Sequence, residues 1–357
     1  MTNVAGSIRS RLKRADVTPM RAWVKQRVQL RLARAGYLVT KIDDDGLRYF
    51  EVSHDSDVPL PPGAEETLRQ DNPRLTELRE AYNALEYPSA VPTQWNDTFL
   101  SKNLSLAWFR GDNAYVWQLR LFTSSARTRN YLAMLDVASR DKLGLMGKLK
   151  EDGLFGAFTF LFGDREPVSR DLLDSVNEIN YLNELTGLAD LEAPTVLDIG
   201  AGYGRLAHRM SEALPNLAAY DCTDGVAVST FLCEYYTGFR ELPDTVRVVP
   251  LSEIEKLRDS YTVAVNVHSF SEQSHASIRW WLDRISERDI EWLLIVPNTE
   301  GELLSTEVGG EREDFLPDVL AAGYVLEDNR PVYQSDELRE MIGVGDEYFL
   351  FHKTAKA

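Results

Sequence analysis

The stretch TVLDIGAGYGRLAHRM, at 195–210, most constrains the fold of this chain. An apolar run precedes three glycines at alternate positions, Gly200, Gly202 and Gly204, and an amphipathic run follows them. A glycine-rich turn between a strand and a helix lets the backbone approach a ligand closely, and the start of the helix offers free N–H groups. The sequence therefore predicts a strand, a ligand-binding turn and a helix in this order.

The spacing of these glycines separates the turn from two common nucleotide-binding patterns. Dinucleotide-binding domains carry G-x-G-x-x-G, whereas this chain has G-x-G-x-G, and it contains no G-x-x-x-x-G-K-[ST] P-loop. Asp198 lies two positions before the first glycine, where its charge would repel a phosphate. An acid at this position suits a cationic or zwitterionic ligand.

Strands and helices alternate from residue 169 onward, which predicts a doubly wound, mostly parallel sheet. Ser169 is expected to cap a helix that Gly187 ends. The predicted strands are 195–199, 217–223, 246–250, 261–267 and 291–297, the predicted helices that follow them are 204–213, 227–237, 274–286 and 312–322, and two closing strands are predicted at 324–333 and 346–353.

The first 165 residues predict a mainly helical domain with a small hairpin. A helix is expected from Pro19 to about Ala35, the dipeptide Asp45-Gly46 marks a hairpin turn, and Asn72 is expected to cap a helix that ends near residue 85. We expect residues 1–165 to serve as a substrate lid or an oligomer contact, and 166–357 to hold the ligand. We also expect a homo-oligomer.

The charge of the chain is unevenly distributed and argues against a nucleic-acid partner. The 357 residues carry a net charge of −17, but residues 1–41 hold ten Lys or Arg and one acid, a net +9 that leaves −26 for the rest. A body this acidic repels nucleic acid. The basic stretch could contact an anionic partner or a membrane surface, or it could be a solvated helix face or a subunit contact.

The composition indicates a globular protein of the cytoplasm. Hydrophobic residues make up 44% of the chain, yet no apolar run approaches the roughly 18 residues that span a bilayer. The chain starts without the apolar core of a signal peptide. Two cysteines, Cys222 and Cys233, do not make a disulfide framework in a chain of this length.

The segment VLDIGAGYGRLA resembles motif I of the class I S-adenosylmethionine-dependent methyltransferases. Over about 169–357, this resemblance implies a Rossmann-like sheet of seven strands with an antiparallel last strand. It implies S-adenosylmethionine as the cofactor, with S-adenosylhomocysteine as its product. It also places the glycine loop against the methionine part of the cofactor. The residues of this loop are Asp198, Gly200, Ala201, Gly202 and Gly204.

The same resemblance implies an acid at the end of the second strand of the sheet, which binds the ribose hydroxyls. Asp221 has nearly the usual spacing from the glycine loop, but Asp224 lies at the carboxyl end of the predicted strand, and we prefer it. Leu251 either borders the adenine or belongs to the core. Glu178 and Asn180, on the preceding helix, either cover the cofactor or face solvent.

A narrower resemblance concerns the acceptor. The segments RDLLDSVNEINYL, DGVAVSTFLCEYY, NVHSFSEQ and VPNTEGELLSTE are together similar to those of bacterial sugar O-methyltransferases. This resemblance implies methylation of a hydroxyl on a free sugar, a nucleotide-linked sugar, a glycoside or a polysaccharide. Two alternatives are a phenolic or other small-molecule acceptor and a non-catalytic interaction protein. Trp95, Trp108 and Trp117 could line a pocket for such a ligand or could belong to the core.

The segment HSFSEQ follows the fourth predicted strand and supplies the candidate catalytic residues. Methyl transfer to a hydroxyl is helped by a base that takes its proton, and His suits that task near neutral pH. We expect His268 to be this base, or a structural residue, with Glu272 as its orienting partner or as an alternative base. Asn298 and Glu300 are expected to bind acceptor hydroxyls. We expect no metal, because the sequence shows no clear carboxylate cluster.

Overall fold

The computed structural model describes residues 27–28, 31–32, 34–35, 57–116 and 126–354. The chain divides into two compact units, Met1–Leu47 and Arg48–Ala357. In the first unit, Arg34 is helical and Ala35 lies in a turn, in agreement with the predicted helix end. The predicted hairpin at 37–52 and Trp117 lie outside the described residues. Among the described residues, no helix combines the length and apolar character needed to cross a membrane.

The second unit contains a seven-stranded sheet and a small two-stranded one. The strands are β1 (Thr159–Phe160), β2 (Val168–Ser169), β3 (Thr195–Ile199), β4 (Ala219–Thr223), β5 (Val246–Val248), β6 (Ser260–Val267), β7 (Asp289–Val296), β8 (Tyr324–Pro331) and β9 (Glu347–Lys353). The strand order in the large sheet is β5-β4-β3-β6-β7-β9-β8. Strands β3 to β7 pair in parallel, whereas β9 pairs antiparallel with both β7 and β8.

This order is that of the class I methyltransferase fold, a Rossmann-like sheet whose last strand is inserted antiparallel. The predicted fold class is therefore confirmed. Strands β4 and β5 extend the sheet on one side of β3, and β6 and β7 extend it on the other side. The order of the strands therefore reverses between β3 and β6, which are neighbours in the sheet although two strands separate them in sequence. Ligands of open α/β sheets bind at the carboxyl ends of the strands beside such a reversal. The glycine turn follows β3 at this point.

The helices are α1 (Ala64–Thr67), α2 (Pro73–Asn83), α3 (Asp97–Asn103), α4 (Ala126–Arg140), α5 (Leu145–Lys148), α6 (Arg170–Thr186), α7 (Arg205–Ala213), α8 (Ala227–Phe239), α9 (His275–Ser286), α10 (Leu316–Ala321) and α11 (Asp336–Ile342). The expected caps are present, since the side chain of Asn72 accepts from Arg74 N–H and that of Ser169 from Leu172 N–H. Gly187 ends α6 in the left-handed conformation. Helix α11 was not predicted, because its short sequence has no long apolar period.

Described residues between 57 and 116 share the apolar core of the large sheet. Leu75, Leu78 and Phe109 belong to the same apolar core as Leu197 and Ile199 of β3. The predicted division at 165/166 stays a prediction.

A buried ion-pair network, here called the Arg110 network, joins Arg110 and Glu151 to α6, the glycine turn and α7. The guanidinium of Arg110 donates to Glu151 at 2.7 Å and to Asp171 at 2.9 Å. Asp171 also accepts from Tyr203 of the glycine turn at 2.7 Å, and Glu151 from Arg209 of α7 at 3.2 Å. Since isolated buried charges are costly, each of these groups depends on the others.

Candidate active site

A cavity of about 460 Å³ opens at the carboxyl ends of the parallel strands. It brings most of the predicted site residues together in one place. Those that line it are Asp198, Gly200, Ala201, Gly202, Asp224, His268, Glu272, Asn298 and Glu300. Predicted cofactor and acceptor residues therefore share a single cavity, as transfer between two bound molecules requires.

Three predicted site residues lie outside the lining of the cavity. Gly204 is the N-cap of α7. Leu251 is fully buried in the core, and its N–H donates to Tyr82 Oη at 2.7 Å. The carboxylate of Asp221 points away from the cavity and accepts from Arg247 Nη2 and Tyr261 Oη, both at 2.6 Å. The structure therefore gives Asp221 an ion-pairing role inside the fold.

The glycine turn takes a conformation that side chains would obstruct. Gly200 and Gly202 have φ values of 79° and 58°, in the left-handed region. A Cβ on Gly200 would lie 2.2 Å from Cβ and Oγ of Ser269, and one on Gly202 would touch the ring of Tyr115 at 3.4 Å. The turn is fixed by Thr223, whose carbonyl accepts from the N–H of Gly200 at 2.8 Å. The turn thus lines the cavity with backbone at Gly200 and Gly202.

Two buried carboxylates flank this turn, and neither forms an ion pair with a Lys or Arg in the described part of the chain. Asp198 accepts from Tyr220 Oη at 2.8 Å. Asp224 accepts from Gly202 N–H at 3.0 Å and from Val226 N–H at 2.8 Å. Burial is the main cause that raises the pKa of each carboxyl to about 7. These carboxylates suit a ligand that brings its own positive charge.

His268 has a backbone conformation that is uncommon outside glycine. It has φ 66° and its N–H donates to Val296 O at 2.7 Å, which fixes the residue at the end of β6. Nε2 lies 3.3 Å from Oδ2 of Asp346, which precedes β9. Burial acts to lower the pKa of His268, but the Asp346 and Glu272 carboxylates outweigh it and raise the pKa overall. Asp346, which the sequence did not suggest, is thus the carboxylate in contact with the imidazole, and the predicted roles of His268 and Glu272 stay predictions.

Glu272, which also lines the cavity, is held by two hydrogen-bond donors. Its Oε2 accepts from Trp95 Nε1 at 2.6 Å, and its Oε1 from Asn298 Nδ2 at 3.0 Å. Burial, the largest influence, raises the pKa of Glu272. Asn298 therefore acts on Glu272 as well as lining the cavity, and Glu300 lines it from an exposed loop position with φ 48°.

Sequence reasoning missed Asp346 and Tyr115 of the cavity lining and left Trp95 undecided between the cavity and the core. Asp346 is 78 positions from His268 in sequence, and only the placement of β9 beside β7 brings them together. Trp95 lines the cavity and packs on Tyr115, with ring centroids 4.9 Å apart, whereas Trp108 does not line it. The tryptophans of this segment indicated a possible ligand pocket, but nothing in the sequence distinguished Trp95 from Trp108.

Of the two candidates on α6, Glu178 and Asn180, only Glu178 lines the cavity. Glu178 lines the cavity and accepts from both Nη atoms of Arg205, at 2.8 and 2.9 Å. Asn180 faces the other way and donates to Asp141 at 2.9 Å. Among the described residues, no group of three His, Cys, Asp or Glu side chains is arranged to hold a metal ion.

Comparisons with known proteins add little beyond this geometry. No family model matches the sequence, and no curated protein matches it. Among solved structures, the chain is similar to an S-adenosylmethionine-dependent methyltransferase from Clostridium acetobutylicum, at 10% identity over 51% of this chain and 91% of that one, with a TM-score of 0.37. It is similar to residues 961–1257 of StiE, an O-methyltransferase region, at 14% identity over 50% and 74%, with a TM-score of 0.38.

A third solved structure, the [4+2]-cyclase SpnF, is similar at 15% identity over 64% of this chain and 96% of that one, with a TM-score of 0.37. Likenesses this weak carry no argument about activity. The strand order of the large sheet therefore remains the basis on which this chain is assigned the class I methyltransferase fold.

Proposed function

We propose that the protein is an S-adenosylmethionine-dependent O-methyltransferase that acts on a sugar hydroxyl. The observation that carries the proposal is the shared cavity. Asp198 and Asp224 beside the glycine turn, and His268 with Asp346, line the same cavity.

The glycine end of the cavity fits the proposed cofactor. S-adenosylmethionine supplies a methyl group on a positively charged sulfur and also carries an ammonium group. The buried carboxylate of Asp198, which lines the cavity beside the glycine turn, would attract such a charge. Asp224, at the end of β4, would receive the ribose hydroxyls through the lone pairs that its two backbone donors leave free.

His268, in the same cavity lining, could supply a base. Nε2 of His268 faces Asp346, so Nδ1 is the ring nitrogen left to accept the proton of an acceptor hydroxyl. S-adenosylmethionine, when bound, would supply the methyl group and leave as S-adenosylhomocysteine. His268 Nδ1 would take the proton that the acceptor hydroxyl loses, and the Asp346 carboxylate would stabilise the resulting imidazolium. Holding both reactants in line in one cavity supplies much of the rate.

A phenolic acceptor is the second candidate, because the rings of Trp95 and Tyr115 line the same cavity. An aromatic acceptor could stack on them, as could the apolar face of a sugar. A screen of glycosides and phenols, with S-adenosylhomocysteine formation as the readout, separates the two classes. Methylation of phenols alone would support this second candidate.

Calorimetry tests the cofactor half of the proposal. We expect S-adenosylhomocysteine to bind the protein at micromolar concentration and Asp198→Asn to weaken that binding at least about tenfold. Glu302→Asn is a suitable control, since Glu302 lies on the surface outside the cavity lining. No detectable heat with either S-adenosylmethionine or S-adenosylhomocysteine would refute the proposed function.

A further inference from the structure

The lining of the cavity is strongly acidic. It contains eight acidic residues, against two arginines and His268. In addition to Asp198 and Asp224 beside the glycine turn, these acids include Asp174, Glu272, Glu300 and Asp346. We propose, resting on the function proposed above, that the acceptor is an uncharged sugar ring and that the site selects against sugars that carry a carboxylate or phosphate.

The cations in the cavity lining are already paired. Arg170 Nε donates to both carboxylate oxygens of Asp174, at 2.7 and 2.6 Å. Arg205 is held by Glu178 through two hydrogen bonds. Within the described lining, an anionic acceptor would therefore find no guanidinium or ammonium without a carboxylate partner. It would have to displace a carboxylate from its arginine to gain a counterion.

His268 offers no better counterion. Its Nε2 already lies 3.3 Å from Asp346, so its positive charge in the protonated form is matched by that carboxylate. The nearby cation Arg312 is exposed and lies outside the lining, where its Nη1 is 3.5 Å from the carbonyl of Ser271. Glu272 and Glu300 therefore remain in the lining without an ion-pair partner among the described Lys and Arg residues.

Glu272 is placed to bind hydroxyl groups. Trp95 and Asn298 each donate one hydrogen bond to it, and these fix the plane of the carboxylate. Each oxygen keeps a lone pair that can accept from a hydroxyl, because a carboxylate has about four acceptor positions. Hydroxyls of a neutral sugar ring are donors that fit this arrangement, whereas a second carboxylate in the same place would be repelled.

Matched glycosides test this selection. The methyl glycosides of glucose, galactose and mannose differ from the corresponding methyl uronides mainly by one carboxylate. We expect the protein loaded with S-adenosylhomocysteine to bind at least one neutral glycoside ten or more times more tightly than its uronide, as measured by calorimetry. Glu272→Gln should reduce this ratio severalfold, because it removes one charge while Asn298 can rotate its amide to pair with the new amide.

Glu302→Gln is the matched control, since it removes a carboxylate from the same loop as Glu300 but outside the cavity lining. This variant should keep the full preference for neutral glycosides. Equal or tighter binding of the uronides would overturn the inference, as would binding of none of the neutral glycosides by a protein that does bind S-adenosylhomocysteine. Failure to bind S-adenosylhomocysteine at all would instead refute the proposed function.

Discussion

Replacing Gly200 by Ala tests whether the glycine turn is required by its backbone and by its contact with Ser269. An alanine with φ near 79° costs about 1–2 kcal/mol, because its Cβ crowds the following carbonyl. The same Cβ would lie 2.2 Å from the Ser269 side chain, and overpacking of this kind costs about 1–3 kcal/mol. Together, Gly200→Ala should lower the free energy of unfolding by about 2–5 kcal/mol.

Two further variants separate these costs in urea unfolding. Gly187 has φ 66°, and a Cβ at this position would have nothing within 4 Å. Gly187→Ala should therefore lower the free energy of unfolding only by the cost of the backbone conformation, about 1–2 kcal/mol. Combining Gly200→Ala with Ser269→Gly removes the clash and should recover about 1–3 kcal/mol relative to the sum of the single changes. The reasoning is refuted if Gly200→Ala costs no more than Gly187→Ala, or if the double variant shows no recovery.

Four predictions concern charged groups of the site. His268→Ala should lower turnover by about 10²–10⁴-fold with unchanged affinity for S-adenosylhomocysteine, and unchanged turnover would exclude His268 as the base. Because Asp346 raises the pKa of His268, Asp346→Asn should move the acid limb of kcat/KM to lower pH, and a shift to higher pH would contradict this. Burial raises the pKa of Asp198 to about 7, so the carboxylate charge that attracts the cofactor's ammonium forms only as the pH rises through this value. The affinity for the cofactor, measured by calorimetry, should therefore increase from about pH 6 to about pH 7.5. Asp198→Asn should remove this pH dependence. Asp221→Asn should lower the free energy of unfolding by about 1–3 kcal/mol with little effect on cofactor affinity. Asp224→Asn should weaken cofactor affinity about tenfold. Weaker affinity in Asp221→Asn and unchanged affinity in Asp224→Asn would restore Asp221 as the ribose ligand.

Local sequence patterns predicted most of the sheet. The boundaries of β3 and α7 agree with the prediction to within a residue, because the apolar run and the glycine turn determine them locally. The N-cap at Ser169 and the end of α6 at Gly187 were predictable for the same reason. Helix α11 was missed since a helix of seven residues shows too few periods to recognise.

The parts of the site that sequence reasoning missed depend on contacts between distant segments. Asp346 meets His268 only because β9 inserts between β7 and β8, and no local pattern encodes that pairing. Asp221 has nearly the spacing of a ribose ligand, yet its side chain alternates to the face of β4 that packs on Tyr261. The spacing from a motif predicts where along a strand a residue lies. The alternation of side chains along the strand determines which face of the sheet the residue is on.

The Arg110 network has a consequence for the order in which the chain can fold during synthesis. Arg110 leaves the ribosome well before Asp171, the last of its carboxylate partners to be made. At about 5–20 residues per second, the interval between Arg110 and Asp171 lasts about 3–12 seconds. Until its carboxylates are present the guanidinium must stay hydrated, because burial without them would be costly. The segment around Arg110 therefore completes its packing only after the start of α6 has been made.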